Sequence, residues 1–313
     1  MLIACPNLTI DRTLTIDELR PGEVLRFESA AVTPGGKGVN VARVAREMGA
    51  PAVLVGFVPG RTGAASAGLL ADEGLVLRGV DVGGEIRSTA VILERSGRVT
   101  VFNEPGPPLA AGDWERYEAE VAAALESQGV LACSGSLPPE APIDGYGRLT
   151  ALARARGALT IVDVTGAALG ASLAAQPDVV TPNLAEAEGL LHGRADETVD
   201  AGHVEVVRAR ALDAARELVA RGARRAVVTA AEAGAAVADG DEAWWLGAPR
   251  IAEVVNPIGA GDALVGGLAL SLERGDPFAA AVAAGMATGA ASVETAVAGV
   301  VVPSRVAELL AAV

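Results

Sequence analysis

The stretch Asn256-Pro257-Ile258-Gly259-Ala260-Gly261-Asp262 combines residue types that can hold an anion and move a proton. Gly259 and Gly261 lack Cβ atoms, so backbone there can come close to a ligand and adopt conformations closed to other residues. The run Ala263 to Leu272 follows with Ala263, Leu264, Gly267, Leu268 and Leu272 near helical spacing, and Arg274-Gly275 supplies a stop. The glycines therefore stand where a helix begins, with free N–H groups and the positive end of its dipole directed outward. That geometry suits a group gaining negative charge in a transition state. Asp262 falls in the first turn, where a carboxylate can take a proton from a hydroxyl while the N–H groups hold a phosphoryl group. Alone, such a turn is most often only a turn.

A second cluster lies far away in sequence, Thr33-Pro34-Gly35-Gly36-Lys37-Gly38-Val39-Asn40, and passes into an amphipathic helix from Val41 to Met48. Lys37 and Asn40 are three apart and share a face of its first turn. Lys37 is the only lysine among 25 basic residues, in a chain that otherwise uses arginine. Ammonium and guanidinium differ in size and geometry, which gives the exception a chemical reason. Familiar glycine-loop readings fail. A Walker A loop needs Ser or Thr after the lysine, where Gly38 stands, and a dinucleotide fingerprint needs a third glycine, where Leu264 stands. Protein-kinase signatures are absent, because neither His192 nor His203 is followed by Arg-Asp. Two histidines and no G-x-S-x-G also leave Ser134 and Ser136 without an acyl-transfer triad.

The elements that must position these clusters read as an α/β domain. Leu2 to Cys5 is a short buried strand, and Asp11 lies just past its carboxyl end, the edge where open α/β sheets gather ligands. Val24 to Thr33 reads as one or two strands. Val53 to Val58 is a strand and Ala64 to Glu73 a helix, after which Ile86 to Leu93 and Val99 to Asn103 flank Ser96-Gly97 as a hairpin opened by Arg87. Together these insertions, about residues 11–34 and 85–104, make a small sheet that can act as a lid and keep water from the reaction. Beyond Leu109 helices and strands alternate: helices 111–127, 147–156 and 201–221, strands 130–133, 159–164, 179–180 and 226–229. This rhythm predicts a doubly wound, mostly parallel sheet covered by helices on both faces. Short strands follow at 235–238 and 243–246. Asn183-Leu184-Ala185-Glu186 places an amide and a carboxylate on a helix start, either as a cap or as oxygen ligands for magnesium.

Composition bounds the function. The 313 residues, 51% hydrophobic, suffice for one large domain spanning 1–313. A net charge of −14 excludes a nucleic-acid footprint but leaves room for a small anionic ligand. Cys5 and Cys133 sit in apolar runs and read as reduced core thiols. The start Met1-Leu2-Ile3-Ala4-Cys5-Pro6 offers no basic export segment, and the Ala-rich stretch 279–291 is broken by Gly285 and Gly289 and too short to span a bilayer. A cytoplasmic protein is expected.

The GGKGVN, NPIGAGDA, TPNLAEAE and SGSLP segments, in this order and spacing, resemble the PfkB carbohydrate kinases of the ribokinase-like superfamily along essentially the whole chain. Asn7-x-x-Ile-Asp11, Lys37, Arg87 and Asn103-Glu104-Pro105-Gly106-Pro107 are most similar to its hexose-phosphate branch, the 1-phosphofructokinases and tagatose-6-phosphate kinases. The resemblance implies an ATP-dependent sugar kinase whose lid often packs against a second subunit, so a homodimer is expected. It also implies Asp262 as catalytic base with Gly259, Ala260 and Gly261 as anion hole. Asp11, Gly36, Lys37 and Asn40 match sugar-binding positions, and Lys37 and Arg87 would meet the phosphate already on the sugar. Asn183 and Glu186 match the pair that organises Mg²⁺ and ATP phosphates, and Thr229 and Gly234 the nucleotide loop. Three positions depart from the pattern: Thr181 replaces a lysine before Pro-Asn, Ala231 a glycine of the nucleotide loop, and Thr89 an asparagine two residues after Arg87. Two rival functions stay open, a kinase for an unphosphorylated sugar or nucleoside and a non-catalytic sugar-phosphate-binding protein.

Overall fold

The structure is a computed structural model and describes residues 1–27, 30–125, 129–193 and 204–313. The chain begins with β1 (Leu2–Ala4) and passes into two strands of a separate sheet, β2 (Thr9–Ile16) and β3 (Ala30–Gly35). Helix α1 (Lys37–Glu47), β4 (Val53–Phe57), α2 (Gly60–Asp72) and β5 (Val76–Val80) follow, then β6 (Arg87–Glu94) and β7 (Val99–Asn103) complete the second sheet. Regular alternation comes next, with α3 (Asp113–Leu125), β8 (Val130–Ser134), α4 (Gly145–Ala155), β9 (Leu159–Asp163) and α5 (Gly166–Leu173). It continues through β10 (Val179–Val180), α6 (Leu184–His192), α7 (Val204–Ala220) and β11 (Arg225–Thr229). The last elements are β12 (Gly234–Asp239), β13 (Glu242–Gly247), α8 (Ala260–Glu273), α9 (Phe278–Ser292) and α10 (Pro303–Leu310).

Among the described residues, nine strands form one sheet in the order β13-β12-β11-β10-β9-β8-β1-β4-β5. The strands from β5 to β11 run parallel, and only β12 and β13 pair antiparallel. Side chains alternate between two buried faces, as they must in a sheet covered on both sides. Leu2, Val55, Leu131 and Val162 join Tyr117 and Tyr146 in one core cluster, while Ile3, Leu54, Ala132 and Ile161 join residues of α1, α8 and α9 in the other. The order grows from β1 towards β5 on one side and from β8 towards β13 on the other. This switch point, between β1 and β8, leaves a crevice at the carboxyl ends of the strands. Four further strands make the small sheet, ordered β3-β2-β6-β7.

Several elements go beyond the sequence reading. Strand β5 and helices α5 and α10 were not foreseen, and among the described residues between 24 and 33 only those from Ala30 onward form a strand, β3. The ends of two predicted helices, at 126–127 and 201–203, lie outside the described residues. Residues 279–291 form α9 straight through both of its glycines. The glycines serve close packing: a Cβ at Gly285 would lie 2.9 Å from the Leu264 carbonyl oxygen, and one at Gly289 2.9 Å from that of Ala260. So α9 braces α8 from behind. Among the described residues, no helix is long and apolar enough to cross a membrane.

Candidate active site

The two remote bends meet. Gly36 and Gly259 both take positive φ, 111° and 81°, where they start α1 and α8. Neither start has a side-chain cap; at α1 the Gly38 and Val39 N–H groups turn to the Cys5 sulfur, while at α8 the Ala260 N–H reaches the Pro257 carbonyl at 3.4 Å and the N–H groups of Gly261 and Asp262 have no intrahelical partner. Between the helices the Asn40 Nδ2 donates to Asp262 Oδ2 at 2.7 Å, a contact spanning 222 residues of sequence. Asp262 stands in the first turn of α8, 6% exposed. Burial pushes its carboxyl up to about 6, against the pull of the Lys37 ammonium; the carboxylates of Asp163 and Glu186 add to the rise, and the Asn40 bond opposes it.

Lys37 opens α1 and extends its Nζ to Asp163 Oδ2 at 3.3 Å and to Glu186 Oε1 at 3.9 Å. Asp163, with Asp262 and Glu186 behind it, holds the ammonium well above the usual lysine range although burial opposes this. The family resemblance implies that Lys37 and Arg87 meet one phosphate; in the structure their hydrogen-bond partners differ. Lys37 is drawn to carboxylates at the ends of β9 and α6, whereas Arg87 Nε donates to the Asn7 carbonyl at 3.2 Å and its Nη1 to that of Glu104 at 3.3 Å. Among the described residues no carboxylate forms a salt bridge with Arg87, in a chain with net charge −14.

Arg87 and Asp11 belong to the small sheet, where β2 pairs β3 antiparallel and β6 in parallel. Asp11 lies over Gly35, where a Cβ would come within 2.1 Å of its Oδ2. Its Oδ1 is buried with no hydrogen-bond partner among the described residues, and burial raises its pKa. Asn7 Nδ2 donates to Ser136 Oγ at 3.0 Å and to the Pro105 carbonyl at 3.1 Å, while its Oδ1 is likewise buried and unpartnered. Buried oxygens without donors mark a place where a polar ligand belongs. Asp11 over Gly35, Gly36 at the start of α1 and Asn40 on that helix thus lead towards Asp262, with Arg87 on the strand that pairs β2. Thr89 Oγ1 donates to Asn103 Oδ1 at 3.1 Å and lies equally close to Thr9 Oγ1.

On the opposite side of the α8 N-terminus lies a cleft of about 590 Å³. Thr229, Ala231 and Gly234 line one wall, and Ile251, Met286 and Val293 give it an apolar floor. Ala260 and Gly261 line it too, so the α8 N-terminus separates this cleft from Asp262. Ala231 holds φ +48°, a conformation that favours glycine. Thr181 Oγ1 donates to Asp163 Oδ1 at 3.4 Å and so supports a carboxylate rather than supplying a charge. Asn183 and Glu186 form a capping box: Glu186 N–H donates to Asn183 Oδ1 at 2.8 Å and Asn183 N–H to Glu186 Oε2 at 2.9 Å. Among the described residues no three His, Cys, Asp or Glu side chains are grouped to hold a metal ion unaided. The pair fits magnesium in its usual mode, one or two protein oxygens with phosphates and water completing the shell. His192 lies at the end of α6, 3.9 Å from Glu217, and His203 is outside the described residues.

Asp163 was missed from sequence, although the signal that singled out Asp11, a carboxylate at the carboxyl end of a parallel strand, applies equally to it. The cleft floor carries no such signal, because Ile251, Met286 and Val293 are ordinary apolar residues until the fold assembles them.

Known proteins share this fold. Residues 2–305 match the model of the pfkB family carbohydrate kinases. The chain is 34% identical over 265 residues to a 1-phosphofructokinase of Rhodobacter capsulatus, covering 84% of this chain and 80% of the relative. It is 32% identical over 271 residues to a 1-phosphofructokinase of Xanthomonas campestris pv. campestris, covering 85% and 82%. Among solved structures, phosphofructokinase-2 from Escherichia coli in complex with potassium superposes with a TM-score of 0.88 at 27% identity, covering 100% of this chain and 98% of that one. The chain belongs to the pfkB family of carbohydrate kinases, and its enzymatic activity is phosphoryl transfer to an alcohol group.

Proposed function

We propose that the protein transfers the γ-phosphoryl group of ATP to a hydroxyl of a ketohexose phosphate, as a 1-phosphofructokinase acting on fructose 1-phosphate or on the related tagatose 6-phosphate. The observation that supports this reading is the α8 N-terminus, where Asp262 bonds Asn40 while Ala260 and Gly261 line the cleft. The sugar enters over Gly35 and Gly36, where Asp11 and Asn40 meet its hydroxyls. Asp262 accepts the proton of the attacking hydroxyl, whose oxygen forms a bond to the γ-phosphorus as the bond to the ADP oxygen breaks. The N–H groups of Gly259, Ala260 and Gly261 face the group in transit, where a single such donor is worth about 2.7–4 kcal/mol.

Arg87 supports the phosphorylated sugar over a neutral one. A guanidinium without a carboxylate partner at the mouth of the pocket is a receptor for a phosphate already on the substrate. Lys37, held among Asp163 and Glu186, stands on the side where phosphates of the nucleotide enter. Asn183 and Glu186 would hold Mg²⁺, which when bound neutralises charge on the phosphates. Thr229 and Gly234 border the nucleotide. The two lid segments cover the sugar and exclude competing water.

The lid also supports a homodimer. On the sheet face that carries Asp11, Thr89 and Asn103, the next registered rows are Thr13-Val91-Val101 and Thr15-Leu93-Val99. Val99 and Val101 are 42% and 43% exposed, so the face turns apolar away from the site and offers a seat for a second copy. Sedimentation measures it.

A coupled ADP-release assay tests the reading on fructose 1-phosphate, fructose 6-phosphate and tagatose 6-phosphate beside ribose and adenosine. Turnover confined to the phosphorylated sugars is expected. Arg87→Met should raise their KM about 10- to 100-fold, since a charge-assisted hydrogen bond is worth about 1.5–3 kcal/mol. Preference for ribose or adenosine, or an unchanged KM in that variant, would overturn it.

A further inference from the structure

The geometry points to Arg43 as a positioning residue that fixes which end of the Asn40 amide faces Asp262. Arg43 lies one turn along α1 from Asn40 and is 3% exposed. A guanidinium has five N–H donors and no acceptor, and here all five have oxygen partners. Nε and Nη2 grip the Glu73 carboxylate, each at 2.7 Å. Nη2 also donates to the Pro34 carbonyl at 2.7 Å, and Nη1 to Asn40 Oδ1 at 3.0 Å and to the Ala298 carbonyl at 3.4 Å.

The consequence is a constraint on atoms. An amide between a donor-only group and a carboxylate has one favourable orientation, with Oδ1 to the guanidinium and NH₂ to the carboxylate. Asn40 is thereby obliged to donate to Asp262 Oδ2. That leaves Asp262 Oδ1 as the oxygen that meets the substrate hydroxyl. Were the amide to rotate by half a turn, a carbonyl oxygen would face the carboxylate and both would lack a proton between them. The surroundings leave little room for sliding: a Cβ at Gly259 would lie 3.2 Å from Asn40 Nδ2, and one at Gly299 2.4 Å from the Asn40 carbonyl oxygen.

The anchor is shared. Through Pro34 the same guanidinium holds the end of lid strand β3, and through Glu73 it is tied to the end of α2. With all five donors on protein oxygens, Arg43 acts through Asn40. This inference rests on Asp262 as the base, so its test includes a readout that needs no catalysis.

The test is a cycle of Arg43→Lys and Asn40→Ala in the full-length enzyme, assayed with the sugar phosphate it turns over best. Lysine keeps the charge but has no fork with which to bind Glu73 and Asn40 together. Arg43→Lys alone should lower kcat about 30- to 100-fold, the scale of a misplaced catalytic group, while the KM for ATP changes less than about 3-fold. In the Asn40→Ala background the same substitution should cost less than about 2-fold, because the group it positions is gone. Independent, additive losses would overturn the inference. The side-chain amide signals of Asn40 provide the second readout: the proton bonded to Asp262 is expected downfield in the wild type and near a solvated amide in Arg43→Lys. Unchanged amide signals refute the positioning role whatever the activity, whereas a shifted signal in a protein that phosphorylates no sugar refutes the kinase reading alone. If Arg43→Lys does not fold, Glu73→Gln, which loosens the same guanidinium, should move both readouts in the same direction by a smaller amount, and no movement overturns the inference.

Discussion

Replacing Asp262, the proposed base, should make the protein more stable, and the gain should depend on pH. Asp262 is 6% exposed, and its carboxyl is pushed from 3.8 to about 6, mainly by burial. The folded state therefore holds this proton more tightly than the unfolded chain does. As pH rises from about 4 through 6, the fold must accept a buried carboxylate, and stability falls relative to a chain with a neutral residue there. At about 1.36 kcal/mol for each pH unit, the displacement corresponds to about 3 kcal/mol. Asp262→Asn keeps the shape and removes the charge. It should match the wild type near pH 4 and exceed it by up to about 3 kcal/mol at pH 7.5, a rise in Tm of roughly 5 °C. Lys37 still has Asp163 and Glu186 as partners, so no cation is left alone.

Two assays go together. Urea unfolding of both proteins at pH 4.5, 6 and 7.5 gives the stability difference, and initial rates give the catalytic loss, expected at about 10²- to 10⁴-fold for a general base. A variant that is inactive and more stable above pH 6 has lost a group kept for chemistry at the expense of the fold. An Asp262→Asn variant no more stable than wild type at pH 7.5 would refute the burial cost, and one with wild-type turnover would refute the base.

The same carboxyl sets the pH response of the enzyme. Proton acceptance needs the ionised form, so kcat/KM should fall on the acid side with a midpoint near pH 6, read from initial rates across pH 5 to 8; a flat profile there contradicts it. Packing behind the site should matter as well. Gly289→Val puts side-chain atoms where a Cβ already meets the Ala260 carbonyl at 2.9 Å, and such overpacking costs about 1–3 kcal/mol. Because Ala260 belongs to the proposed anion hole, kcat should fall more than thermal unfolding alone explains, as measured on folded enzyme at 25 °C.

How much of this was readable beforehand follows from the range of each interaction. The α/β rhythm, the strands of the small sheet and both glycine bends announce themselves through local signals, namely apolar period, turn residues and helix starts. Strand β5 was hidden because Val76-Leu77-Arg78-Gly79-Val80 is short and carries a charge and a glycine, and its place is decided by pairing with β4. Helix α9 was obscured because glycine reads as a breaker in one dimension, yet in three dimensions it lets two helices approach.

The site divides along the same line. Asp262, Lys37 and Asn40 stand out in the sequence as candidates for chemistry, through their types and their places at two helix starts. Their partners were not. Nothing in the spacing says that Lys37 will find Asp163, 126 residues away, in preference to Arg87, or that Arg43 will bind both Glu73 and the amide of Asn40. Those pairings are consequences of the switch point. With β1 set between β4 and β8, the turns leaving β1, β8 and β9 open on one crevice, and α1 and α8 pack together across it. A local sequence can specify a lysine at the start of a helix, but only the strand order decides which carboxylates that lysine meets. The separate surroundings of Lys37, drawn to Asp163 and Glu186, and of Arg87, set on the carbonyls of Asn7 and Glu104, are therefore a property of the topology. Under the proposed function, that separation is what makes two cations, which look equivalent in the sequence, answerable to different phosphates.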